Sequence, residues 1–135
     1  MKIEGGCYCG AVRYRAEGEP GLKVQCHCRE CQYISGGSPN VTMAMSEGGF
    51  AYTKGTPKAF RRKDLPNPVT REFCAECGTH LTARASALPG LVLFKVGTFD
   101  TPGLFEAPQM AIFLCDKQKF HAVPEGIPTF DRVPG

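Results

Sequence analysis

A chain of 135 residues, with 42% AVILMFWYC, 21% charged residues and a net charge of +3, is sized for one domain around a single core and is too apolar to be disordered. Its Lys and Arg are scattered apart from Arg61-Arg62-Lys63, so no basic face announces a nucleic acid, and no apolar run reaches the ~18 residues of a membrane span. Sixteen Gly and eleven Pro leave little room for long helices.

In chain order, segments with a period of two recur between turn formers. Val12, Tyr14 and Ala16 alternate with Arg13 and Arg15; Leu22 and Val24 with Lys23 and Gln25; Val41, Met43 and Met45 with Thr42 and Ala44. Each reads as a strand with one buried face, and Met43 and Met45 as core. Further strands are expected over 58–62, 69–73, 81–84, 91–96 and 110–114, the last two as central strands because they are almost continuously apolar. Only 29–34 suits a helical turn or two, cut off by Ser35-Gly36-Gly37-Ser38-Pro39. The fold class is mainly antiparallel β. From about residue 123 a Pro-rich tail is expected to lie extended over the surface, with Phe130 pinning it to the body.

The N-terminus runs Met-Lys-Ile-Glu-Gly-Gly and reaches a cysteine at once, without the apolar region of a secretory signal. The expected location is the cytoplasm, where eight cysteines read as metal ligands before disulfides. Seven of the eight fall into three clusters: Cys7-Tyr8-Cys9-Gly10, Cys26-His27-Cys28-Arg29-Glu30-Cys31 and Cys74-Ala75-Glu76-Cys77-Gly78. Zinc holds thiolates at ~2.3 Å in a tetrahedron, which puts neighbouring sulfurs about 3.8 Å apart and demands tight turns. Gly10 and Gly78 supply the freedom for such turns. Cysteines separated by one residue also bridge badly as disulfides. Seven ligands divide as four and three. Four sulfurs close a structural site, whereas three leave the open position of a catalytic zinc. Spacing does not say which cluster pairs with which, and it leaves open a second arrangement in which Cys115 closes the smaller site and both metals are structural.

The order Gly-Gly-Cys-Tyr-Cys-Gly-Ala-Val-Arg-Tyr, Cys-His-Cys-Arg-Glu-Cys and Arg-Glu-Phe-Cys-Ala-Glu-Cys-Gly-Thr resembles the glutathione-dependent formaldehyde-activating enzyme family, which shares its domain with centromere protein V. The resemblance implies one Mss4-like domain over 1–135, built of short antiparallel strands stapled by zinc. It implies a structural zinc on Cys7, Cys9, Cys74 and Cys77 and a catalytic zinc on Cys26, Cys28 and Cys31, up to two ions per chain. The implied activity is that of a carbon-sulfur lyase, S-(hydroxymethyl)glutathione synthase-like, with a small thiol such as glutathione and a small carbonyl compound as partners. A noncatalytic zinc-stapled binding module is the alternative. Elementary chemistry agrees with the reaction type: a divalent ion with three thiolates carries a formal charge of −1, a poor generator of hydroxide that still holds a thiol as thiolate.

Other residues near the clusters have ordinary readings. His27, between two ligands, would point away from them on a strand. His80 reads as a hydrogen-bonded structural histidine, and His121 as an uninformative polar-segment residue. Glu30 and Glu76 are solvated loop carboxylates or partners of the site. Ser35 to Ser38 form a turn that could also offer N–H groups to a ligand. Arg61-Arg62-Lys63 is a solvated strand end that could draw carboxylates, and Cys115 packs as a small hydrophobe.

Overall fold

Ten strands and one helix make up the structure, a computed structural model that describes residues 1–134. The strands are β1 (Lys2–Gly6), β2 (Arg13–Glu17), β3 (Leu22–Cys26), β4 (Asn40–Ser46), β5 (Phe50–Lys54), β6 (Lys58–Phe60), β7 (Thr70–Phe73), β8 (His80–Arg84), β9 (Leu91–Lys95) and β10 (Met110–Ile112), with α1 (Arg29–Ser35) between β3 and β4. The fold is mainly β, as the period-two pattern requires.

A three-stranded sheet, β1-β2-β5, faces a seven-stranded sheet ordered β10-β3-β4-β9-β8-β7-β6. Every pairing is antiparallel except β10 with β3, which is parallel. The core lies between the two sheets. Tyr14 and Ala16 of β2 and Ile3 of β1 meet Met43 and Met45 of β4, Leu81 of β8, and Val92 and Phe94 of β9. The Phe94 ring is 5.2 Å from Tyr14 and 5.3 Å from Phe50, the latter edge to face. Each large side chain buried here contributes about 1.5–3 kcal/mol, and the aromatic geometry adds about 0.5–1.5 kcal/mol per pair.

Two strands, β1 and β5, lie outside those expected from the sequence. β1 carries one large apolar residue, Ile3, and owes its conformation to pairing with β2 in the register Gly5↔Tyr14. Gly5 is required there: a Cβ would lie 2.4 Å from the Thr98 carbonyl and 2.5 Å from the Tyr14 hydroxyl. β5 pairs with the other edge of β2 through a register shift between Arg13 and Tyr14. β10 departs from expectation in another way, since it is an edge strand rather than a central one. Its outer edge is covered by the Pro-rich tail: Ala111 N–H donates to Pro128 O, and Phe130 N–H to Ala111 O, both at 3.0 Å. Backbone hydrogen bonds, with Phe130 half-buried, hold the tail.

Candidate metal centres

The loop after β1 and the loop between β7 and β8 bring the first and third cysteine clusters together. The first loop closes on itself, with Cys7 N–H donating to Val12 O at 3.0 Å and Gly10 N–H to Cys7 O at 3.1 Å, and Gly10 at φ 80°. The second repeats the device: Cys74 N–H donates to Thr79 O at 2.9 Å, Gly78 N–H to Cys74 O at 2.8 Å, and Gly78 has φ 79°. Only a residue without a Cβ adopts these values at little cost. Thr79 ties the loops to each other. Its hydroxyl accepts from Tyr8 N–H at 3.1 Å and lies 3.1 Å from Cys77 Sγ, to which it donates. That contact holds the Cys77 thiol down to about 5. Cys7 Sγ is 3.7 Å from Cys9 Sγ, and Cys9 Sγ is 3.8 Å from Cys74 Sγ. Both separations match the edge length expected of a tetrahedral thiolate centre. Val12 N–H points at Cys7 Sγ from 3.2 Å. The four sulfurs of Cys7, Cys9, Cys74 and Cys77 all lie within 4.8 Å of one another and could hold a metal ion.

The middle cluster forms a separate group. Cys26 ends β3, Cys28 is the N-cap of α1, and Cys31 sits in the first turn of α1; their sulfurs also lie within 4.8 Å of one another. Cys31 N–H donates to Cys28 Sγ at 3.3 Å, and Asn40 Nδ2 donates to Cys31 Sγ at 3.8 Å. Contact with the Cys26 and Cys28 thiols holds Cys31 down to about 3, while Cys28 and Cys31 push the Cys26 thiol far up. Three thiolates this close repel one another, and a bound cation would relieve that repulsion. The donor set fits a thiolate-binding metal such as zinc. Among the described residues Cys115 is not in the group, and it is exposed rather than packed as a hydrophobe.

A family model described as glutathione-dependent formaldehyde-activating enzyme matches residues 2–116. The chain belongs to that family. A Halomonas elongata protein, provisionally named as a glutathione-dependent formaldehyde-activating enzyme, is 28% identical over 97 residues, or 68% of this chain and 62% of the relative. The aligned stretch thus spans less than two thirds of that relative's own length. A crystal structure of a Rhodobacter sphaeroides protein superposes with a TM-score of 0.61 over 94% of this chain and 98% of the other, at 15% identity, a likeness of fold.

Around the middle cluster of this family member, several side chains take roles the sequence left unstated. His27 lies just beyond β3 rather than on it and is not in the cysteine group; it is fully buried against His121, which is buried too. His80 is not the hydrogen-bonded histidine expected, since its Nδ1 is buried without a partner. Glu30 pairs with Arg71 at 2.7 Å, whereas Glu76 is exposed. Ser35 to Ser38 form the turn that ends α1, with Gly36 at φ 81° and Gly37 N–H donating to Gln32 O at 2.7 Å. Arg62 pairs with Asp64 at 2.9 Å, and Arg61 and Lys63 are exposed. An open groove of about 360 Å³ runs beside α1, lined by Glu30, Tyr33, Phe60, Arg62, Arg71 and His80 among others. Lys95, the last residue of β9, escaped notice in the sequence although it is a charge closing an apolar run. It is only 8% exposed.

Proposed function

We propose that the chain is a zinc-dependent carbon-sulfur lyase acting on a thiol adduct of a small carbonyl compound, of the S-(hydroxymethyl)glutathione type, and that residues 1–135 work as one domain. The observation that carries this reading is the grouping of Cys26, Cys28 and Cys31 without a fourth cysteine or histidine among the described residues. In this reading Cys7, Cys9, Cys74 and Cys77 hold a structural zinc, and the three-cysteine group holds a second ion with a coordination position left for substrate. Zinc bound there keeps an added thiol deprotonated near neutral pH.

The chain's own groups do the rest. Asn40 Nδ2, directed at Cys31 Sγ, and the N-terminal turn of α1 at Cys28 Sγ fix two of the sulfurs and stabilise their negative charge. The groove beside α1 supplies an apolar wall from Tyr33 and Phe60 for the organic part of the substrate. In the forward direction the thiolate sulfur adds to the carbonyl carbon, the carbonyl π pair moves to oxygen, and that oxygen takes a proton. The reverse breaks the carbon-sulfur bond and returns thiol and carbonyl compound.

The test is exchange between formaldehyde and its thiol adduct, followed by NMR exchange spectroscopy with protein carrying two zinc ions. Acceleration by wild type, lost in Cys28→Ser, is expected. Comparing glutathione with simpler thiols identifies the thiol, since acceleration with a simple thiol alone keeps the chemistry and rejects glutathione. No acceleration with any thiol, in protein shown to hold both ions, rejects the lyase in favour of a zinc-stapled binding module.

A further inference from the structure

The register of the large sheet places Lys95 beside the three-cysteine group. Cys26 pairs with Asn40 across β3 and β4, and Thr42 pairs with Lys95 across β4 and β9. Directly paired residues share a face of a sheet, and so do residues two apart on one strand. Cys26, Asn40, Thr42 and Lys95 therefore lie on one face, with Asn40 already bonded to Cys31 Sγ. The opposite face of β9 holds Val92 and Phe94 in the core.

Lys95 is 8% exposed, and its ammonium has no hydrogen bond or ion pair among the described residues. A lysine whose side chain is this largely buried is costly to keep charged, even where its amine retains some solvent contact, unless a negative charge compensates it. Carboxylates do not fill that role. The charges that act on it are the sulfurs of Cys31, Cys26 and Cys28 and, with the opposite effect, Arg71. Burial brings the amine down to about 8 while Cys31 works against that shift, so it remains an ammonium at neutral pH.

We infer that Lys95 is a positioning residue that offsets the negative charge of the Cys26, Cys28 and Cys31 thiolates and thereby lets an anionic thiol bind among them. The need for such a charge is arithmetic. Three thiolates around a divalent ion carry −1 already, and a fourth makes −2. A positive charge held on the same face of the sheet reduces that repulsion, and more so where solvent access is restricted. The inference rests on the open-position reading of the three-cysteine group. It explains why a lysine ends an otherwise apolar central strand.

The experiment uses the full chain with cobalt in place of zinc and follows the metal's absorption bands during titration with 2-mercaptoethanol and, separately, with imidazole. In wild type both ligands perturb the spectrum. Lys95→Met is expected to weaken 2-mercaptoethanol about tenfold, the effect of one nearby charge, and to leave imidazole, a neutral ligand, unchanged. Lys95→Arg restores most of the thiol affinity. Equal weakening of both ligands means the site has merely been distorted, and unchanged thiol affinity in Lys95→Met means the ammonium has no part in binding; either overturns the inference while the lyase reading stands. Wild-type protein whose spectrum neither ligand moves overturns the open position itself, and the role of Lys95 with it.

Discussion

His27 and His121 meet through their Nδ1 atoms at 3.0 Å, both buried, and so connect the link between Cys26 and Cys28 to the chain after β10. The surrounding bonds assign the protons. His121 Nε2 donates to Gly37 O at 2.7 Å, leaving its Nδ1 to accept from His27 Nδ1–H and from Gln118 N–H. His27 Nε2 in turn accepts from Gln25 Nε2 at 3.1 Å. Both rings are neutral in this arrangement, each in a single tautomer.

A pH dependence follows with a definite sign. Burial, with the neighbouring His121 and Lys117, holds His27 below its ordinary value. A histidine that resists protonation in the native state penalises folding once the unfolded chain takes up the proton. Its contribution is therefore absent above ~pH 6.5 and grows as the pH falls below it. Nitrogen NMR of the imidazoles should show His27 neutral and protonated on Nδ1 at ~pH 6.5, where an ordinary histidine is half charged. An imidazolium pattern for His27 at that pH contradicts the network.

Exchanging single ligands should separate the two cysteine groups. Cys74→Ser, in the four-sulfur group, should unfold or aggregate the protein, because in the proposed reading a metal bound there contributes folding free energy. Cys28→Ser should leave the fold largely intact, with one metal per chain instead of two by elemental analysis. Equal loss of the cooperative thermal transition in both variants would make the three-cysteine group structural.

Cys115 provides an internal control. It lies outside the three-cysteine group and is exposed, so Cys115→Ser should change neither the metal content nor the cobalt spectrum with added thiol. A variant that responds to thiols when wild type does not would mean that Cys115 is the fourth ligand.

Gly5 offers a test of the packing that supports the first cluster. A Cβ at this position meets the Thr98 carbonyl at 2.4 Å and the Tyr14 ring at 2.6 Å. Tyr14 is fully buried and hydrogen-bonded to Thr98 Oγ1 at 2.6 Å, so it has little freedom to retreat. Gly5→Ala is expected to cost about 1–3 kcal/mol, the range for overpacking, in denaturant unfolding. A loss below about 0.5 kcal/mol, the usual range of surface substitutions, would show that β1 moves aside freely.

The sequence by itself determined the features that depend on neighbouring residues. Alternation along 12–16 and 41–45 produces strands because successive side chains leave a strand on opposite faces. Cys74-Ala75-Glu76-Cys77-Gly78 makes a ligand turn because Gly78 supplies the positive φ within the motif itself. The order of the cysteine clusters is also specific enough to carry the family. Whatever depends on distant segments meeting was set by tertiary contacts. These buried His121 against His27, placed β10 at an edge under the tail, and set Lys95 on the face of Cys26. None of these has a local signal, since burial and pairing belong to the segment that arrives from elsewhere in the chain. β1 shows the same limit: with two glycines and one large apolar residue it is a poor strand former, and pairing with β2 imposes its conformation.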